Sequence, residues 1–239
     1  MKKVHRVTLG TAGGAANFVV QHPSPEPNVR AIEARLVARA EAFVALTQAE
    51  VEIQARKVAG QRLEQEAGQA LRQVYLPAVA VLADSAWAAD PARARQFHVR
   101  KKDGRSRIVF IATVGNLLDE VRGAEAELLA EGMPPTLPAS LAAQLAQFSE
   151  GVETIRRARF EAAELRVAYR QAAAATVALL RQLDALYRLR FQDDPASWAA
   201  WQSVRNIPWP GTTLRRERRQ APRAAGPGHA DVESQAPNP

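Results

Sequence analysis

The chain has 239 residues, no cysteine, and 32 Lys and Arg against 25 Asp and Glu, a formal charge of +7. That length suits one good-sized domain or two small ones. The absence of cysteine excludes disulfide frameworks, thiolate metal sites, iron–sulfur clusters and cysteine nucleophiles.

Hydrophobic residues make up 47% of the chain but aromatic ones only 6%, and alanine accounts for most of the difference. Five lysines leave twenty-seven arginines, a bias that follows from GC-rich coding before it follows from phosphate recognition. No run comes near the eighteen apolar residues of a membrane span. The cytoplasm is the expected compartment, with no cofactor and no small-molecule substrate.

Residues 1–27 are expected to form a flexible leader. Met1-Lys2-Lys3-Val4-His5-Arg6 is basic and residues 7–20 are mildly apolar, but Thr8, Thr11, Asn17 and several glycines break the apolar run, which makes a poor signal-peptide core. Gly10-Thr11-Ala12-Gly13-Gly14-Ala15-Ala16 has the outline of a phosphate-cradling loop. Such a loop needs a helix and a second parallel strand behind it, whereas prolines at 23, 25 and 27 are followed by a long amphipathic run.

Proline placement then divides the chain. Residues 28–76 and 139–194 are free of proline and rich in Ala, Leu, Glu, Gln and Arg, the strongest helix formers. Gly60, Gly68 and Gly151 interrupt them, at about 1 kcal/mol each. The first run is predicted as long helix 28–76, with a stripe through Val29, Ile32, Leu36, Ala40, Phe43, Val51, Ala55, Val58, Leu63, Ala67, Leu71 and Val74.

The segment 77–135 is expected to be a helix–hairpin–helix cap. A short helix over 78–95 has Leu82 and Trp87 as anchors. Gln96–Arg100 and Arg107–Val114 then flank an Asp103-Gly104 turn, a β-hairpin pattern. Asn116 is expected to cap a further helix over 117–131, ended by Gly132.

Long helix 136–192 carries the sharper repeat. Leu141, Leu145, Phe148, Val152, Ile155, Ala158, Ala162, Leu165, Tyr169, Ala172, Thr176, Leu179, Leu183 and Leu186 step by threes and fours, the period of a coiled-coil seam. Val177, Leu180, Tyr187 and Phe191 add a second stripe. Neither long helix can bury its stripe alone, so the two are expected to pair antiparallel. Unbroken helices of roughly 70–85 Å would make the bundle elongated, while bends at Gly60 and Gly151 would make it squat.

Asp193-Asp194-Pro195 opens a short tryptophan-bearing helix over 193–210, and residues 211–239 are an Arg/Pro-rich tail expected to be disordered. The fold class is therefore a mainly α, elongated antiparallel helical bundle or coiled coil with a small hairpin-containing cap.

Chemistry is sparse. His5, His22, His98 and His229 lie off the long helices, so no Glu-x-x-His pair can be built, and no zinc or nucleophile-elbow motif occurs. Carboxylate pairs such as Glu161/Glu164 and Glu64/Glu66 read as solvated faces. No catalytic, cofactor or metal residue is assigned, and the chain is expected not to be an enzyme.

Two basic patches stand as candidate contacts to nucleic acid or to an acidic partner. One holds Arg93, Arg95, Arg100, Lys101, Lys102, Arg105 and Arg107, the other Arg215, Arg216, Arg218 and Arg219. Trp198, Trp201 and Trp209 are candidates for protein docking or for capping the bundle. The function expected is that of a non-catalytic scaffold or adaptor, with a protein partner or self-association through the helices. The alternative is a nucleic-acid-binding protein gripping phosphates with the basic hairpin and tail. A third and weaker reading inserts Ile108-Val109-Phe110-Ile111 into a bilayer.

Overall fold

The computed structural model describes residues 3–100 and 106–205, with side chains from residue 8 onward. Every element among them is helical: α1 (Lys3–Gln21), α2 (Pro27–Ala70), a π-helical turn (Leu71–Tyr75), α3 (Leu76–Ala86), α4 (Pro91–Ala94), a 3₁₀ turn (Arg95–Phe97), α5 (Arg107–Gly123), α6 (Glu125–Ala130), α7 (Leu137–Arg190) and α8 (Pro195–Arg205). No helix among them is long and apolar enough to cross a membrane.

The chain divides into two compact units, one drawn from Met1–Ala40 and Ala173–Pro239, the other from Glu41–Ala172. The long helices α2 and α7 contribute to both, and they pair antiparallel. In the first unit Glu33 meets Tyr187. In the second, Phe43 lies beside Tyr169, Arg56 beside Glu161, and Gly68 beside Phe148.

The seam predicted on α7 lies wholly on its covered side. None of its fourteen positions is exposed, and Leu180, Tyr187 and Phe191 of the second stripe are buried as well. On α2 the expected stripe holds over much of its two arms, but its middle and its last position, exposed Val74, do not fit. Val29, Leu36, Phe43, Ala67 and Leu71 are buried, whereas Val51, Ala55 and Val58 face outward and Ile53 and Gly60 face inward. The reason is a polar stretch on the covered side: Thr47, Glu50, Lys57 and Glu64 take half-buried positions, so apolarity alone points to the wrong face there.

Gly60 and Gly151 do not break the helices, which run through both positions. At them the backbones of α2 and α7 approach closely. A Cβ on Gly151 would sit 2.6 Å from the Glu64 nitrogen and 2.8 Å from the Gly60 oxygen, and one on Gly60 would sit 3.0 Å from the Thr154 side chain. Only glycine permits backbone against backbone at that range.

Three expectations are corrected. There is no β-hairpin among the described residues. Arg95–Phe97 form a single 3₁₀ turn and Arg107–Gly123 form helix α5, while Lys101, Lys102 and Arg105 of the expected turn lie outside the described residues. A run of β-branched and apolar residues fits a buried helix as well as a strand, and here Phe110, Val114, Leu117, Leu118 and Val121 are buried at helical spacing. Asn116 is accordingly inside α5 and caps nothing.

The leader expected over 1–27 contains α1 instead, with Thr8, Thr11, Ala12, Ala15, Phe18 and Val19 buried along one face. Its glycines weaken a helix in isolation, and packing against α8 and the first unit's core overrides them. Gly14 is the contact point with Val204.

The first long helix, expected over 28–76, does not end before Pro77. The ring of Pro77 would clash with the carbonyl four residues back in an α-helix. The backbone instead widens by a π-turn, where the Leu76 N–H donates to the Leu71 carbonyl, and α3 then carries on with Pro77 in its first turn. The short helix expected over 78–95 is thus two pieces, α3 and α4, the second capped by the Asp90 carboxylate accepting from the backbone of Ala92 and Arg93 at 3.2 and 3.1 Å.

Two breaks fall as the residue types predict. Gly132 ends the α6 region with φ of 89°, a backbone conformation that glycine adopts without strain. Asp194 caps α8 by accepting from the Ser197 N–H at 3.1 Å, one residue before Pro195.

The core of the first unit gathers Phe18, Val29, Leu36, Leu183, Tyr187, Phe191 and Trp201. The second unit has two clusters. One lies under α3, α5 and α6 around Phe97 and Leu117. The other joins the α2 end and the π-turn to α5 and α7 around Leu71, Phe110, Leu141 and Phe148.

Candidate functional site

The basic segment 93–107 is not one patch. Arg93 stacks its guanidinium 4.9 Å from the Trp87 ring and reaches Glu127 at 3.8 Å, which ties it to the surface of the α3–α6 cluster. Arg95 and Arg100 are exposed. Arg107, at the first turn of α5, forms a two-pronged pair with Glu64 of α2, one prong being its Nη2 at 2.9 Å from Glu64 Oε2. Hydrogen bonding to that carboxylate raises the guanidinium's pKa further. Lys101, Lys102 and Arg105 lie outside the described residues, as do Arg215, Arg216, Arg218, Arg219 and Trp209.

The two described tryptophans of the docking set belong to the first unit. Trp201 is wholly buried, edge-on to Tyr187 at 4.7 Å, with its indole N–H donating to Asp184 at 3.2 Å. It is core, not surface. Trp198 is half-buried against the same cluster, with the Arg205 guanidinium 5.7 Å from its ring.

Within the second unit, α5, the π-turn and the middle of α7 enclose an open groove of about 910 Å³. Its rim carries Arg72, Arg107, Arg156 and Arg159, with Glu64 and Glu153 between them. Its apolar lining is supplied by Ile108, Ile111 and Val152, and Ile108 is 78% exposed.

The sequence places these groups for reasons already visible. The α5 helix that replaces the expected strand turns Phe110 inward and leaves Ile108 out. The π-turn sets Arg72 across the core edge, 4.4 Å from the Phe110 ring and 5.9 Å from Phe148.

Not all of the rim charge is neutralised. Arg107 is taken up by Glu64. Arg156 pairs with Glu153 at 2.8 Å, and Arg157 shares that carboxylate at 3.4 Å. Hydrogen bonding from Arg156, ahead of its charge, holds the Glu153 carboxyl below its ordinary value. Among the described residues Arg72 meets only ring faces and the Gly68 carbonyl at 3.4 Å, and Arg159 has no carboxylate partner. Among the described residues the groove therefore offers two cations without counter-charge beside exposed isoleucine. The Ser149 hydroxyl on its wall donates back to the Leu145 carbonyl of its own helix at 2.8 Å.

Of the candidate contacts read from the sequence that lie among the described residues, only Arg107 lines the groove. Arg72, Arg156 and Arg159 were missed. The signal for the last two was the Arg156-Arg157-Ala158-Arg159 run, which reads as a solvated face unless α5 is known to pack beside it. Comparison of the chain with protein-family models, with curated proteins and with solved structures finds no match to any of them.

Proposed function

We propose that this chain is a non-catalytic interaction protein, and that the groove between α5, the π-turn and α7 receives an acidic, amphipathic segment of a partner protein. The observation that carries the reading is the pairing of exposed Ile108 with Arg72 and Arg159, two arginines that lack counter-charge among the described residues. Apolar side chains of the segment cover Ile108, Ile111 and Val152, and its carboxylates meet Arg72 and Arg159. Arginine suits that role because its planar fork binds carboxylates in two-pronged fashion. Glu64 and Glu153 on the same rim, together with the isoleucines, disfavour a phosphodiester backbone, so a protein partner is preferred over nucleic acid. The cytoplasm is the compartment proposed.

The test is fluorescence anisotropy with a labelled Glu-rich helical peptide bearing Leu at helical spacing, beside a scrambled peptide of equal charge and a DNA duplex. Saturable binding of the amphipathic peptide alone is expected. Arg159→Glu and Ile108→Glu should each weaken it about fivefold or more, or ~1 kcal/mol. Both residues are exposed, so both variants keep their helical circular dichroism. Equal binding of the scrambled peptide would sink the apolar half of the reading. Tight DNA binding that falls steeply with salt would replace the reading by the nucleic-acid one.

A further inference from the structure

Helix α2 carries a second apolar line that its packing does not use. Val44, Val51 and Val58 are 52%, 65% and 53% exposed, with Ala55 exposed between them. They are seven residues apart, two helical turns each, so they form one straight stripe. The covered side of the same stretch runs through Phe43, Ile53 and Gly60, toward α7. At 100° per residue the valine stripe lies opposite Ile53 and Gly60 and to one side of Phe43. One exposed valine is ordinary, but three in heptad register are the repeat by which one helix seats another.

We infer that this stripe joins α2 to α2 of a second copy of the chain, antiparallel, about a two-fold axis at Val51. Two features favour a second copy over an unrelated helix. The stripe is palindromic, so turning it about Val51 lays Val44 on Val58 of the second copy, Val51 on Val51, and Gln48 beside Ala55. Its ends also carry opposite charge: Glu41 lies three residues before Val44 and Arg62 four residues after Val58, both exposed.

Antiparallel pairing sets Glu41 against Arg62 of the second copy at both ends. Parallel pairing would align like with like. Arg62 already holds Glu66 through its Nε at 2.7 Å, which leaves its terminal nitrogens for Glu41. Three valines and an alanine per copy fall short of the ~800 Å² per partner of a standard interface. The contact is therefore a weak, concentration-dependent one. It uses α2 alone and is independent of what occupies the groove.

Sedimentation velocity of the full chain from about 5 to about 200 µM should show a reversible monomer–dimer shift. Val51→Glu sets like charges on the axis and should leave a monomer throughout; because Val51 is exposed, its helical circular dichroism should be unchanged. Arg62→Glu should weaken the dimer several-fold, and adding Glu41→Arg to the same chain should restore it. The chain has no cysteine, so Val51→Cys should form a disulfide-linked dimer under mild oxidation, as should a mixture of Val44→Cys and Val58→Cys chains. A wild-type chain that stays monomeric at the highest concentration overturns the inference. So does cross-linking of Val44→Cys to itself in preference to Val58→Cys, or a charge swap that fails to restore association.

Discussion

Gly60 and Gly151 look alike in sequence to Gly115, yet they have opposite duties. A Cβ at Gly115, inside α5, meets nothing within 4 Å, whereas one at Gly151 meets the backbone of α2 below 3 Å. Gly115→Ala should therefore raise stability by up to ~1 kcal/mol through helix propensity alone. Gly151→Ala should lower it by about 1–3 kcal/mol, because the clash is with backbone that cannot swing aside. Urea midpoints of the two variants check both signs, and a stabilised Gly151→Ala would show that the helices do not approach there.

Glu33 is the other residue whose role the sequence hides. It is buried, accepts from the Ser24 N–H at 3.1 Å and from the Tyr187 hydroxyl, and has Arg190 at 3.8 Å, fastening the turn before α2 to α7. Burial, and then the hydrogen bond to Glu33, push the Tyr187 phenol well above its ordinary value. A group raised on folding adds stability that is complete below its unfolded pKa and is lost as pH climbs past it. Stability should thus decline above about pH 10, with a shallower decline in Tyr187→Phe. An unchanged slope in that variant would refute the assignment.

At the scale of elements, legibility followed how many independent signals agreed. Helix α8, expected over 193–210 and found over Pro195–Arg205, was readable because Asp194, Pro195 and the tryptophans all pointed one way. Hydrogen bonds from the Ser197 side chain, then its backbone, hold the Asp194 carboxyl below its ordinary value. The cap's contribution is present above the unfolded carboxyl range and is lost as pH falls through that lowered value. Acidification should loosen α8 and shift the emission of Trp198 and Trp201; Asp194→Asn should keep a cap and lose the acid response. Identical acid profiles in variant and wild type would exclude the cap as the cause.

Helix α5 was misread because its apolar run carries two periods at once, and the deciding fact, which neighbours cover Phe110 and Val114, is tertiary. Helix α1 was misread because glycine counts against a helix locally while the partner that compensates, α8, lies at the other end of the sequence. The groove was only partly legible for the same reason. Its arginines come from the π-turn, α5 and α7, and nothing local says that those three meet.

For the molecule as a whole, the broad result, a mainly α chain with α2 and α7 antiparallel, rested on periodicity sustained over dozens of residues, which no local ambiguity can erase. Composition set the rest. With only 6% aromatic residues, each core rests on a few large side chains of its own, and alanine and glycine let helices close in elsewhere. The π-turn at 71–75 has a consequence for how such a chain tolerates change in length. A π-turn holds one residue more than the α-turn it replaces, so everything after it is rotated by about 100° relative to an uninterrupted helix. The faces of α2 and α3 are matched to that offset: Ala67 and Leu71 go to one cluster, Val79 and Ala83 to the next. Removing a single residue there, such as exposed Val74, would force regular α-turns onto the Pro77 ring, at a cost of about 3 kcal/mol. It would also swing Val79 and Ala83 out of their cluster. The bulge works as a phase adjuster, and the chain is more sensitive to the loss of one residue in that turn than to nearly any substitution within it.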